Sequence, residues 1–315
     1  MLLIGIDEAG YGPLLGPLCH GFAAIRVNDP PDGAPPNLWK ALRPAVARAG
    51  AKRALAIDDS KKVYQSGKNL RGLERGVFAF LTCSQPSQPV SRIDLQTLLP
   101  DMDLSELARD AWLDNIDPPA YDETFKADRL QNALARIGAQ VVTVGARAVS
   151  ARAFNVSIEN GANKAEANWR VTAYELARLR AMSLPGECIF AAIDRQGGRK
   201  FYASLLCEIF QTALVEVLCE KNEASIYRFE DNGREVRVGF FVSAESQHLP
   251  VALASMAAKL AREKYMERMN AFFQRHQPGL KRTAGYYRDA RRFISETALL
   301  RKQLNIDNRE FIRVR

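Results

Sequence analysis

No apolar run in this chain approaches the length needed to cross a membrane, so a helical membrane protein is excluded and no membrane partner is expected. The amino-terminal apolar run is too short for a secretory signal, and Asp7 interrupts it. None of the five cysteines (Cys19, Cys83, Cys188, Cys207, Cys219) belongs to a CxxC pair, and their odd number fits a reducing compartment better than a disulfide framework. They read as small core hydrophobes, and a cytoplasmic protein is expected. Also missing are a GxxxxGK[ST] loop and a GxGxxG turn after a strand, which weighs against an unrelated magnesium-dependent enzyme of nucleotides.

What is present is an ordinary globular composition with a basic balance. The 315 residues are 47% apolar and 25% charged, enough to bury a substantial core, and the net charge is +8. That surplus favours a polyanionic partner over acidic metabolites.

The most informative stretch is the first. Leu2, Leu3, Ile4 and Ile6 read as a strand covered on both faces, and Asp7 and Glu8 follow at once. Two carboxylates at the end of a buried strand need basic partners or a divalent cation, because burial disfavours their charged form. Gly10, Tyr11, Gly12 and Pro13 then make a tight turn whose backbone can approach a ligand. A strand and a polar turn with solvated acids is the plain alternative.

Leu18 to Val27 reads as a second strand, with His20 a satisfied strand residue, and the proline-rich 28–37 as a loop. Trp39 to Ala49 suits a short helix. Asp58-Asp59-Ser60-Lys61-Lys62 opens another, running to about Leu81, with Ser60 as its cap and the lysines placed for a phosphate. Residues 84–125 form an acid-rich insertion after a polar linker. Lys126 to Ile137 is helical by periodicity, Gln140 to Gly145 a strand, and the segment around Asn168, Trp169, Leu176 and Leu179 a packed helix. Ile189 to Asp194 repeats the opening logic: an apolar strand delivers an acid into a glycine turn. Leu205 to Leu218 reads as an apolar helix. Ala224 to Phe229 and Glu235 to Phe241 read as strands joined through Asp231-Asn232-Gly233, a hairpin signal. Small residues from Ala254 to Ala261 allow close helix packing. The tail from Gln274 to Arg315 interleaves basic residues with Tyr286 and Tyr287, which suits a backbone-contacting surface with a stacking ring.

GIDEAGYGPLLGPL resembles the amino-terminal signature of type 2 ribonucleases H, the ribonuclease HII family, which reads G-I-D-E-A-G-R-G-P-x-x-G-P. The D-S-K-K of 59–62, the strand-end Asp194 in the place of the family's V-D-G acid, and ASMAAKLARE in the place of its A-S-I-x-A-K-V-x-R-D helix follow in the family's order. Gly285-Tyr286 matches the start of its G-Y-x-[ST] motif, after which the residues depart.

The resemblance implies an α/β ribonuclease-H-like fold: a mixed central sheet flanked by helices, over 1–83 and 126–270, interrupted by the 84–125 insertion and followed by a basic helical region at 271–315. It implies Asp7, Glu8, Asp194 and Glu263 as catalytic metal ligands, and Gly10, Tyr11, Gly12, Ser60, Lys61, Lys259 and Tyr286 as substrate contacts. Oxygen-only ligands select Mg²⁺ or Mn²⁺. Two such ions roughly 4 Å apart can activate water for in-line attack on phosphorus. The implied substrate is the RNA strand of an RNA/DNA hybrid, or a ribonucleotide embedded in duplex DNA, cut to leave a 3′-hydroxyl and a 5′-phosphate. A monomer is expected. Tyr11 replaces the motif's arginine and Glu263 adds a methylene to its final acid, so the alternative is a catalytically weak member that binds hybrid or structured nucleic acid.

Overall fold

A strand as apolar as Leu2 to Ile6 can be hidden only if both its faces are covered, and the computed structural model covers both. It describes residues 1–30, 33–51, 53–64, 69–85, 98–99, 112, 127–212 and 214–314. The chain begins with β1 (Leu2–Ala9), β2 (Leu18–Arg26), α1 (Leu38–Ala41), β3 (Val46–Ala47), β4 (Leu55–Ala56), α2 (Ser60–Val63) and α3 (Arg71–Ser84). Then come α4 (Ala127–Arg136), β5 (Gln140–Val149), α5 (Ala151–Glu159), α6 (Lys164–Arg180) and β6 (Ile189–Asp194). It continues through α7 (Ala203–Phe210), β7 (Glu216–Glu220), β8 (Ala224–Asp231), β9 (Arg234–Phe241) and a 3-10 turn (Ala244–Ser246). The last helices are α8 (Leu249–His276), α9 (Tyr287–Glu296), α10 (Ala298–Gln303) and α11 (Asn308–Phe311).

Seven strands form one mixed sheet in the order β5-β2-β1-β6-β9-β8-β7. The central trio β1, β6 and β9 is parallel, and the outer pairings are antiparallel. Alternation along β1 divides the core. Leu3 joins a cluster with α3, α4 and α8, whereas Leu2, Ile4 and Ile6 join one with Trp169 and Leu176 of α6 and Leu206 of α7. At roughly 1.5–3 kcal/mol for each fully buried large apolar side chain, these two layers supply the main force holding β1 at the centre. A third cluster packs Tyr265, Met269 and Phe273 of α8 against Phe293 and Phe311 of the tail, so α8 passes without a break through 270–271, where the basic tail was expected to begin.

Three local expectations differ from the structure. The helix expected over Trp39 to Ala49 is the single turn α1, because Pro44 has no N–H to continue it, and Val46 and Ala47 pair as β3. Asp59, not Ser60, caps α2: its side chain accepts from the Lys61 N–H at 2.9 Å, and Ser60 is the first helical residue. The helix expected to Leu218 stops at Phe210 with Gln211 in a left-handed conformation (φ 49°), and Val217 and Leu218 lie in the edge strand β7. The expected insertion lies mostly outside the described residues; of it, Leu98 and Leu99 are buried with the first cluster and Trp112 with the third.

Candidate active site

The parallel register of β1 and β6 places the two strand-end acids side by side. Leu2 pairs with Ile189 and Ile6 with Ile193, so the next step along both strands brings Asp7 next to Asp194. Asp7 shares the Leu3 face and meets Ser255 of α8; Glu8 points to the opposite face, where its charge reaches Tyr202. The adjacent pair therefore straddles the edge of the sheet.

After β9 the chain turns back over this edge. The Ala244 N–H donates to Asp194 Oδ1 at 3.0 Å, which fixes the 3-10 turn on the acid and puts Glu245 beside it. Asp7, Glu8, Asp194 and Glu245 all line one cleft of about 530 Å³. Of the substrate contacts expected from sequence, Gly10, Ser60, Lys61, Lys259 and Tyr286 line it as well, and Tyr11 and Gly12 do not; nor does Glu263, expected as a metal ligand. Ser60 is tied to α8 by the Ser255 hydroxyl at 3.2 Å, and Arg262 stacks its guanidinium 5.6 Å from the Tyr286 ring centre.

Glu263 is engaged elsewhere. Its carboxylate accepts from Lys259 Nζ at 2.6 Å and from the Tyr64 hydroxyl at 3.2 Å. One turn beyond Lys259 on α8, the Glu263 side chain meets that lysine, and the acid that lines the cleft with Asp7, Glu8 and Asp194 is Glu245. Glu245 obeys the rule that exposed Asp7 and Asp194, an acid just past a buried strand, but it sits in a short polar stretch with no periodicity to mark it.

The acids press on one another. Burial, then the charges of Asp194 and Glu8, hold the Asp7 carboxyl well above its usual range. Burial and the Asp194 charge push Glu8 up to about 7. Burial, with the Glu245 charge, lifts Asp194 to about 6 against the Ala244 hydrogen bond and the Lys61 charge. None of the ion pairs among the described residues involves Asp7, Glu8 or Asp194; the nearby cations Lys62 and Lys259 pair with Asp58 and Glu263.

Uncompensated buried carboxylates gain from a proton or a divalent cation. Among the described residues no three acidic, histidine or cysteine side chains stand together closely enough to enclose a metal ion. The donor set nevertheless fits Mg²⁺ or Mn²⁺. Mg²⁺ commonly takes one or two carboxylates and completes its shell with water and substrate phosphate, so it needs no closed protein cage.

No protein-family model matches the chain, and no curated protein matches it in sequence. Solved structures do. The chain is similar to ribonuclease HII of Archaeoglobus fulgidus, in a complex with PCNA, at 16% identity over 100% of this chain and 95% of that one (TM-score 0.44). It is similar to ribonuclease H2 of Pyrococcus horikoshii at 14% identity over 99% and 92% (TM-score 0.41), and to ribonuclease H3 of Aquifex aeolicus at 15% over 99% and 71% (TM-score 0.39).

Proposed function

We propose that the chain is a metal-dependent endoribonuclease of the type 2 ribonuclease H class, acting on RNA/DNA hybrids or on ribonucleotides embedded in duplex DNA. The observation that carries this reading is the convergence of Asp7, Glu8, Asp194 and Glu245 on one cleft, the first three raised in pKa and without an ion-paired cation among the described residues, beside the basic and aromatic groups Lys61, Lys259, Arg262 and Tyr286. The order of the sequence motifs supports it independently.

The four acids are the residues to hold Mg²⁺ or Mn²⁺. Bound there, the ions supply an activated water and neutralise charge developing on the scissile phosphate. The protein does the rest. Lys61, capped into place by Asp59, and Lys259, held by Glu263, offer cations to the phosphodiester backbone. Tyr286, 55% exposed at the cleft wall, offers its ring to a base or sugar. No nucleophilic side chain is required.

The test is cleavage of a labelled DNA duplex carrying one ribonucleotide, and of a long RNA/DNA hybrid, with Mg²⁺ or Mn²⁺, beside Asp7→Asn. Metal-dependent cuts that leave a 3′-hydroxyl, absent in the variant, support the reading. Binding of either duplex without cleavage would sink it in favour of a nucleic-acid-binding role.

A further inference from the structure

A two-stranded sheet stands apart from the central one and carries none of the cleft acids. β3 and β4 run parallel, with Val46 beside Leu55 and Ala47 beside Ala56. Arg48 follows the first strand and Ile57-Asp58 the second, so the two charged side chains leave the same end of the pair. Asp58 is 4% exposed; it accepts from the Ala49 and Asp59 N–H groups at 3.2 and 2.8 Å and from the Arg48 guanidinium at 3.3 Å. Trp39 of α1, anchored through its indole N–H on the Ile57 carbonyl at 2.8 Å, stacks on the same guanidinium, whose carbon stands 3.3 Å from the ring centre. The fork is rigid and planar, so a ring against its face and a carboxylate at its edge fix where its other N–H groups point.

They point at the 3-10 turn. One guanidinium nitrogen donates to the Glu245 carbonyl at 3.3 Å and the other to the Ser246 carbonyl at 2.5 Å. The turn needs such support. It is three residues long, the Ser243 before it takes a left-handed φ of 54°, and a single turn of helix is marginal by itself. The Glu245 side chain makes no hydrogen bond or ion pair among the described residues, so its carboxylate stands where its backbone puts it. Asp194 holds the start of the turn through the Ala244 N–H, and Arg48 holds its end.

We propose that Arg48 is a positioning residue: by fixing the carbonyls of Glu245 and Ser246 it presents the Glu245 carboxylate to the cation site beside Asp194. The proposal rests on the metal-dependent ribonuclease reading of the cleft. It gives the small sheet a task, and it joins two parts of the cleft wall, because Asp58 opens the segment whose Asp59 caps α2 and whose Lys61 lines the cleft. Arg48 touches no reacting group; it acts through two carbonyls.

The experiment titrates Mn²⁺ into the full chain without substrate, following the free ion by electron paramagnetic resonance, and repeats the titration in Arg48→Met, Glu245→Gln and the double variant. Removing a group that orients a metal ligand typically weakens metal binding by about 10–100-fold, and one that acts through backbone carbonyls is expected at the lower end, about tenfold. Arg48→Lys keeps the charge without the fork and should fall between Arg48→Met and the parent. In the Glu245→Gln background Arg48→Met should have no further effect, because Glu245 is what it places. In cleavage of the hybrid, Arg48→Met should need about tenfold more Mg²⁺ for its half-maximal rate and approach the parent rate as the ion is raised. An affinity for Mn²⁺ unchanged in Arg48→Met overturns the role of Arg48 alone, and so does a loss of equal size with and without the Glu245 carboxylate, which would make Arg48 a support of the fold only. A parent whose Mn²⁺ binding is unweakened by Asp7→Asn and by Glu245→Gln overturns the metal reading of the cleft with it.

Discussion

The Glu263 carboxylate stands 2.6 Å from the Lys259 ammonium one helical turn before it, an ion pair in which both side chains are more than four-fifths buried. The pair commits Glu263 to a lysine of the cleft wall, and the acid that meets Asp194 is Glu245. Two substitutions separate the roles. Glu245→Gln is expected to lower kcat by about a hundredfold or more, the scale for removing a charged group aimed at the reacting centre. Glu263→Gln should cost less than about tenfold and appear mainly in KM, because it loosens Lys259 without removing it. Steady-state kinetics on one duplex decides between them.

Asp7→Asn should separate stability from activity. The carboxyls of Asp7, Glu8 and Asp194 are raised in the folded state, so the stability they contribute is present at low pH and is lost as pH rises through about 6 to 7. Neutralising Asp7 removes its share of that loss. In the presence of a chelator at pH 8, Asp7→Asn is expected to melt at a higher temperature than the parent while losing cleavage. Added Mg²⁺ should stabilise the parent more than the variant, narrowing the gap. A lower melting temperature for the chelated variant would show that Asp7 is already compensated in the fold.

Much of this site was legible because its acids follow strand physics. β6 was expected at Ile189 to Asp194 and is found there, and β8 and β9 join through the expected hairpin. Asp7 and Asp194 could be paired without knowing the register, since each ends an apolar run. Glu245 escaped because a 3-10 turn carries no period. The Lys259 partner of Glu263 was not legible because a motif position does not say which neighbour a long side chain will meet. Arg48 was invisible for a different reason: its contact with Glu245 joins residues 197 apart, and neither end carries a local signal. The helix expected over Leu205 to Leu218 erred because an apolar edge strand and an apolar helix look alike over so short a run.

His20 provides a pH dependence of opposite sign. Its ring is fully buried on β2, with Nδ1 3.3 Å from the Thr172 hydroxyl, and burial, aided by the Arg147 charge, lowers its pKa to about 4. The folded state therefore keeps the ring neutral, and the stability this represents is lost as pH falls from about 6.5 towards 4. His20→Gln should flatten the fall in urea midpoint over that window relative to the parent, by an amount on the order of 3 kcal/mol at most. An unchanged slope would show that the ring titrates freely in the folded protein.

Gly21 tests the packing that brings Ser255, Lys259 and Arg262 to the cleft. A Cβ on Gly21 would lie 1.8 Å from the Ala254 carbonyl oxygen and 2.9 Å from the Ala258 nitrogen, both backbone atoms of α8 that no side-chain rotation can move aside. Gly21→Ala must push α8 off the sheet, and overpacking of this kind costs roughly 3 kcal/mol, at the upper end of its usual range. Because α8 carries one wall of the cleft, cleavage should fall with stability. Gly12→Ala is the control: a Cβ there meets nothing within 4 Å, and its urea midpoint should correspond to a change of less than about 0.5 kcal/mol. Equal midpoints for the two variants would mean that α8 can shift away from β2 without cost, and that its close approach to the sheet does not set the position of the cleft wall.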